Sequence, residues 1–426
     1  MKTVRRSLVA LLACVLSLPA LAQQAADPGI DSARLEKVGT AFQGWVDDGQ
    51  LPGAVLLIAR HDKVVYSKAI GFRDREQKAA MTDDSIFRIM SMTKPIIAVG
   101  AMMLAEEGKL DIVAPVAQYL PEFRDLKVRV ETVDPATGRR AESLVAPHRP
   151  MMVQDLFRHT AGLVYGPPIG QGPVSEGYRA VNMGDRNETL AEMITKMSKF
   201  PLVHQPGEVW EYSMAIDVLG RVIEVASGMP LDRYLDERIF KPLGMTSTGF
   251  SVPDDKRGLL AEPQVDRATG KRPSVFDATQ QPKWFSGGGG LVSTASDYLK
   301  FCEMLLHGGQ RGTVRLLSPA TVRLMTANAL APGTAVIPSR SVDITPSPAM
   351  GQGFGLGFAV RTETGQNPLP GSPGAFYWTG AYGTTFYIDP KQDLILIMMI
   401  QMPSPENSFF RRAFRYLGYG ALTELN

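Results

Sequence analysis

A chain of 426 residues that is 44% hydrophobic, with 45 basic against 43 acidic side chains, has material for a large core, either as one big domain or as two lobes. The formal net charge of +2 is spread along the chain without a long basic or acidic run, so nucleic acid and acidic polymers are not expected partners. Neither an H-E-x-x-H run nor a cysteine pair occurs, which leaves no expected metal and no expected cofactor.

In chain order, Lys2, Arg5 and Arg6 precede an apolar stretch over residues 8–18 that ends in Pro19-Ala20-Leu21-Ala22. This pattern predicts a cleaved secretory signal over residues 1–22, because the apolar run is shorter than the roughly 20 residues a membrane span needs. A secreted or periplasmic location follows as an expectation, with no stable membrane insertion of the mature chain 23–426. Cys14 departs with the signal, and an early Leu11-Leu12-Ala13-Cys14 gives only a faint lipidation pattern. Cys302 is then the one cysteine left, so no intrachain disulfide is available and the core alone must hold the fold.

Residues 31–48 read as an amphipathic helix with Leu35, Val38, Phe42 and Val46 on one stripe. A hairpin follows, with strands at 54–60 and 64–72 around a turn at His61-Asp62-Lys63. An apolar helix begins at Ser91 and runs to about Gly108. From about 112 to 281 the pattern gives short helices and loops, with a hairpin excursion over 128–149. A helix at 295–308 precedes strand-like segments at 355–361, 376–378 and 384–388. The continuously apolar run 393–401 reads as a central strand covered on both faces, and a last helix spans about 407–422. Strands from both chain ends therefore make one antiparallel sheet flanked by helices, a mixed α/β (α+β) fold. The sheet lobe is expected at about 30–88 and 286–426, with a mostly helical lobe inserted at about 89–285.

Chemistry points first to Ser91-Met92-Thr93-Lys94. Positions i and i+3 share one helix face, which puts the Lys94 amine beside the Ser91 hydroxyl. A serine hydroxyl needs a neighbouring base, and burial at the positive end of a helix favours the neutral lysine that can serve. Pro95 fits only a first turn and so places the pair at that end. Downstream, Tyr212-Ser213 offers a phenol that, next to a lysine, can be held as phenolate or can shuttle a proton, because the cation favours its charged form. Trp378-Thr379-Gly380-Ala381 lies in a strand-like stretch, expected at a sheet edge, whose backbone N–H can face a developing oxyanion.

These three elements in this order resemble the serine β-lactamase and penicillin-binding-protein superfamily. Within it the chain is most similar to the class C β-lactamase-related branch that includes the family VIII carboxylesterases. The stretches Phe157-Arg158-His159-Thr160-Ala161-Gly162-Leu163, Phe240-Lys241-Pro242-Leu243-Gly244-Met245 and Ser286-Gly287-Gly288-Gly289-Gly290 extend the resemblance over nearly the whole mature chain. It implies a β-lactamase/transpeptidase-like fold, with Ser91 as nucleophile and Lys94 and Tyr212 as the base. It further implies an oxyanion hole from the N–H groups of Ser91 and Ala381.

Class C β-lactamases carry Tyr-x-Asn and Lys-Thr-Gly where this chain has Met214 and Trp378. A substrate-binding wall of Trp378, Gly380 and Met214 is therefore expected to favour apolar, uncharged acyl groups. A secreted hydrolase of small-molecule carboxylic esters is the favoured expectation. The alternative is a β-lactamase or D-alanyl-D-alanine carboxypeptidase, which needs a carboxylate anchor. A Ser-His-Asp mechanism using His159 finds no G-x-S-x-G elbow in the chain.

Overall fold

The computed structural model describes Asp27 and residues 29–134, 136–339 and 342–426. The expected signal at 1–22, with Cys14, lies outside the described residues. No helix among the described residues is long and apolar enough to cross a membrane.

Helix α1, Ser32–Asp47, starts where the Asp31 carboxylate accepts the N–H groups of Ala33 and Arg34, an N-cap that satisfies two of the orphan donors. Its buried face is Leu35, Val38, Phe42 and Val46, the stripe read from the sequence. Strands β1, Gly53–Arg60, and β2, Lys63–Asp74, form the expected hairpin. The turn is one residue shorter than expected: His61 and Asp62 alone take left-handed φ of 50° and 60°. That two-residue geometry suits the twist of paired strands. The short β3, Ala79–Ala80, adds to β2.

The remaining sheet strands come from the C-terminal third: β4 Gln352–Phe354, β5 Ala359–Arg361, β6 Phe376–Thr379, β7 Thr385–Asp389 and β8 Leu394–Met399. They assemble with the first three in the order β4-β5-β6-β7-β8-β1-β2-β3. Every pair in this sheet is antiparallel; Val55 faces Met399 and Trp378 faces Phe386. The apolar run read as a central strand is β8, fully buried and fifth of eight.

Two expectations change here. Residues 355–361 are not one strand, because Gly355 N–H turns back onto Phe358 O, which makes 355–358 the turn between β4 and β5 and leaves only 359–361 as strand. Nor is β6 an edge strand: it lies between β5 and β7. Its ladder with β5 stops at Tyr377, however, so the end that carries Trp378 and Thr379 pairs with β7 alone.

Helices cover both faces. Paired residues Phe386 and Ile397 share one face, and there Phe386 packs on Tyr298 of α4, Ala295–Leu306. Leu396 points the other way, as alternation along a strand requires, and approaches Gly418 of α5, Asn407–Tyr419. Helix α1 joins α5 on that side through Phe42 against Phe410 and Phe414. Between the two sheet-forming segments lie helix α2, Thr93–Glu106, the exposed hairpin of Val128–Val133 with Arg140–Val145, and helix α3, Ala215–Ser227. Helix α2 is buried on all sides from Thr93 to Leu104, and its contacts with α3 tie the helical segment together.

Candidate active site

Ser91 sits in a single 3-10 turn, Met90–Met92, which runs directly into α2. Met90 before it takes a left-handed φ of 47°, a conformation costly for a long side chain and held by its surroundings. Ile89 N–H bonds Leu291 O on one side of the turn, and Tyr298 Oη donates to Met92 O on the other. Lys94, one turn on, is almost wholly buried. Its ammonium donates to Ser91 Oγ at 3.1 Å, to Tyr165 Oη at 3.0 Å and to Gly288 O at 2.6 Å. The i, i+3 pairing read from the sequence is therefore present, and three acceptors hold the lysine head.

Tyr212 arrives from a different part of the chain. The short strand Val209–Trp210 pairs with Ala335–Val336 and delivers the tyrosine to the N-terminus of α3. Tyr212 Oη donates to Ser91 Oγ at 2.7 Å, and Lys94 Nζ lies 4.7 Å from its ring centroid. The serine oxygen thus has a phenol and an amine on it at once. The site also contains Tyr165, which sequence reading missed. It lies six residues beyond His159 in the same stretch as the quoted His-Thr-Ala-Gly-Leu, and nothing local marks it out. Burial pushes its phenol well above the ordinary range, so it stays a neutral hydrogen-bonding partner of Lys94.

His159 is packed edge-on to Tyr212 at 4.9 Å and accepts from the Ser213 N–H. Burial, reinforced by the Lys94 charge, holds its imidazole well below the usual range. It makes no bond to Ser91 or to a carboxylate among the described residues, which leaves it a wall of the site. The other four histidines each bond a carboxylate, and none bonds Ser91.

Beyond β6, Gly380 N–H bonds Thr384 O. A Cβ at Gly380 would collide with Ile89 O and Thr384 Oγ1, so glycine alone lets the strand end press against the turn that carries Ser91. This brings Ala381, exposed at the cleft, to the neighbourhood of Ser91. The N–H groups of Ser91 and Ala381 donate to no acceptor among the described residues. Two α5 side chains, unremarked in the sequence, fix this corner: Asn407 Nδ2 donates to Ala381 O at 2.8 Å and Arg411 Nη1 to Gly380 O at 3.4 Å.

Trp378 and Met214 are where the expectation fails. Both are buried, and neither lines the cleft. Trp378 packs against Tyr212 and Phe354, with centroids 5.7 and 5.4 Å apart; it backs Tyr212 and stays out of the cleft. The period-two alternation that sends one strand residue inward cannot be assigned a face from sequence when both faces are covered. Trp378→Ala should therefore behave as a core truncation, costing about 3–5 kcal/mol in denaturant unfolding. An unfolding midpoint equal to the parent's would return the side chain to the substrate wall.

The cleft above Ser91 has a volume of about 410 Å³. Its walls include Ile169, Ile344, Pro403 and Pro405, with Thr379, Gly380 and Tyr212 at the reacting end. Among the described residues no cluster of acidic, histidine or cysteine side chains could hold a metal ion. What the arrangement can do is activate a serine and stabilise an anion beside it.

Known proteins resemble this chain over most of its length. A profile of the beta-lactamase family matches residues 35–420. Esterase EstB of Burkholderia gladioli is 31% identical over 394 residues, covering 86% of this chain and 90% of that esterase. A putative D-alanyl-D-alanine carboxypeptidase of Escherichia coli is 28% identical over 409 residues, covering 88% of this chain and 84% of that protein. Among solved structures, EstCE1, described as a hydrolase with promiscuous acyltransferase activity, superposes with a TM-score of 0.74 at 30% identity. That match covers 91% of this chain and 99% of EstCE1.

Proposed function

The chain belongs to the beta-lactamase family, and from that premise we propose that it is a serine hydrolase of carboxylic esters working through an acyl-enzyme on Ser91. The observation that carries this reading is the meeting of Tyr212 Oη and Lys94 Nζ on Ser91 Oγ, at 2.7 and 3.1 Å. In the first step Ser91 Oγ attacks the ester carbon and its proton passes to the Tyr212–Lys94 pair. The carbonyl oxygen, now anionic, takes the N–H groups of Ser91 and Ala381. Collapse expels the alcohol, which receives the proton from Tyr212. Water then enters, loses a proton to the same pair and attacks the acyl carbon; collapse breaks the bond to Ser91 Oγ, which takes that proton back as the acid leaves.

The ester reading over the β-lactam or peptide reading is supported by the third element, where a buried indole stands at the position of the lysine that the lactamase pattern carries. Arg411 is a cation on the cleft wall, but it is 7% exposed and its guanidinium is engaged by Gly380 O and, at 3.8 Å, by Asp343. The carboxypeptidase-named relative favours the second reading, and one measurement separates them. A short-chain nitrophenyl ester should be cleaved with a kcat/KM at least about ten-fold above that for a chromogenic cephalosporin, since a shielded salt-bridged hydrogen bond of about 1.5–3 kcal/mol is missing. Preference for the cephalosporin, or for a D-alanyl-D-alanine peptide, would replace this reading with the other.

Export is part of the proposal. The charged start, apolar core and Ala20-Leu21-Ala22 end of residues 1–22 support cleavage after Ala22. N-terminal sequencing of the exported protein should begin at Gln23.

A further inference from the structure

The mechanism above leaves one buried carboxylate without a task. Asp217 lies in the first turn of α3, five residues after Tyr212, and is 1% exposed. Its Oδ1 accepts the Ser286 hydroxyl at 2.6 Å and the Gly288 N–H at 3.0 Å. Gly288 is the residue whose carbonyl takes the Lys94 ammonium at 2.6 Å. A single residue thus carries the carboxylate on its N–H and the ammonium on its carbonyl. No side chain fits at Gly288, because a Cβ would run into Asp217 Oδ2 and the Tyr165 hydroxyl.

Lys94 is surrounded by groups that leave its charge uncompensated. Ser91 and Tyr165 meet it as hydroxyls and Gly288 as a carbonyl. The Tyr212 ring offers its face, and His159, close enough to feel the lysine charge, is kept neutral. No Asp or Glu forms an ion pair with Lys94 among the described residues, and Asp217 is the carboxylate whose ionisation the lysine charge favours. Burial raises the Asp217 carboxyl, while Lys94, Ser286 and Gly288 pull it back towards ionisation. A buried cation and a buried anion held on the two sides of one residue stabilise one another's charged forms, since neither reaches water.

We propose that Asp217 is the positioning residue and counter-charge of the Ser91–Lys94–Tyr212 site, aiming the Gly288 carbonyl at Lys94 and setting the pH at which the Lys94–Tyr212 pair becomes able to accept the serine proton. This rests on the reading of Ser91 as nucleophile. The sign follows from charge alone. The pair becomes competent by losing a proton, and so a positive charge, which a neighbouring anion opposes whichever of the two groups releases it. Removing the anion must ease that loss.

The test is the pH dependence of Ser91 acylation by a fluorophosphonate in the full-length enzyme and in Asp217→Asn, whose amide oxygen can still accept the Gly288 N–H. The acidic limb should move to lower pH by roughly one unit. A limb at the wild-type position in a folded variant would overturn the proposal, because an Asp217 that only braces the loop carries no charge to lose. If wild-type Ser91 is not labelled at any pH, the nucleophile reading fails first, and Asp217 is then judged by stability alone. In that arm, Lys94→Met strands the carboxylate, so adding Asp217→Asn to Lys94→Met should raise the melting temperature. The same substitution in the wild type should lower it or prevent folding. Further destabilisation of Lys94→Met by Asp217→Asn would overturn the coupling, including where Asp217→Asn by itself does not fold.

Discussion

Ser91→Ala is expected to abolish ester hydrolysis, with kcat down on the order of 10⁵-fold or more, while the protein stays folded. The size of the loss follows from where the atom sits. Ser91 Oγ is the point on which Tyr212 Oη and Lys94 Nζ converge, so its removal leaves a base with nothing to activate. Folding is spared for the same geometric reason. The 3-10 turn is held by backbone bonds on either side, and Lys94 keeps Tyr165 and Gly288 as acceptors. Loss of an exposed or half-buried hydroxyl away from the core usually changes stability by within about 1 kcal/mol. Steady-state rates on a nitrophenyl ester, with peptide mapping of a fluorophosphonate adduct, check both halves. An adduct on any other serine would end the assignment.

Tyr212→Phe and Lys94→Met should each lower kcat by roughly 10²–10⁴-fold with KM little changed, because both act on proton transfer and not on docking. The two variants differ in what else they disturb. Phenylalanine keeps the ring that packs on His159, Trp378 and Tyr165, so Tyr212→Phe isolates the hydroxyl. Methionine at 94 leaves the Gly288 carbonyl without its buried donor, a cost of about 1–3 kcal/mol in stability, so its rate must be read alongside an unfolding curve. His159→Asn is the control. It should weaken the fold through lost ring packing yet keep most of kcat. A folded His159→Asn as inactive as Tyr212→Phe would bring the Ser–His mechanism back.

Local pattern was enough for much of the fold. The Leu35, Val38, Phe42, Val46 stripe of α1, the pairing of β1 with β2 and the wholly apolar β8 are each fixed by short-range periodicity, and the structure contains all three. The 128–149 excursion likewise pairs as expected, Val128 with Val145. What failed were features that depend on neighbours in space. The two-residue turn, the split of 355–361 and the interior place of β6 all follow from which segments pair, and a strand's own residues do not record its partner.

The site divides in the same way. Ser91 and Lys94 are three residues apart, so one helical turn decides their contact and the sequence alone could propose it. Tyr212 could be proposed only because its motif resembled a known family, since 121 residues separate it from the serine it bonds. Tyr165 and Gly288 reach Lys94 across 71 and 194 residues; nothing marks Tyr165, and the glycine run that holds Gly288 does not say which carbonyl meets the lysine. Burial decided the rest. Trp378 faces the core because the segment before α3 and strand β4 bring Tyr212 and Phe354 against it, and Asp217 bonds Gly288 because the glycine run closes over the N-terminal end of α3. Composition and spacing determine which chemistry the chain can host; the facing of an indole and the company of a carboxylate are set by packing between distant segments, where burial outweighs any local preference.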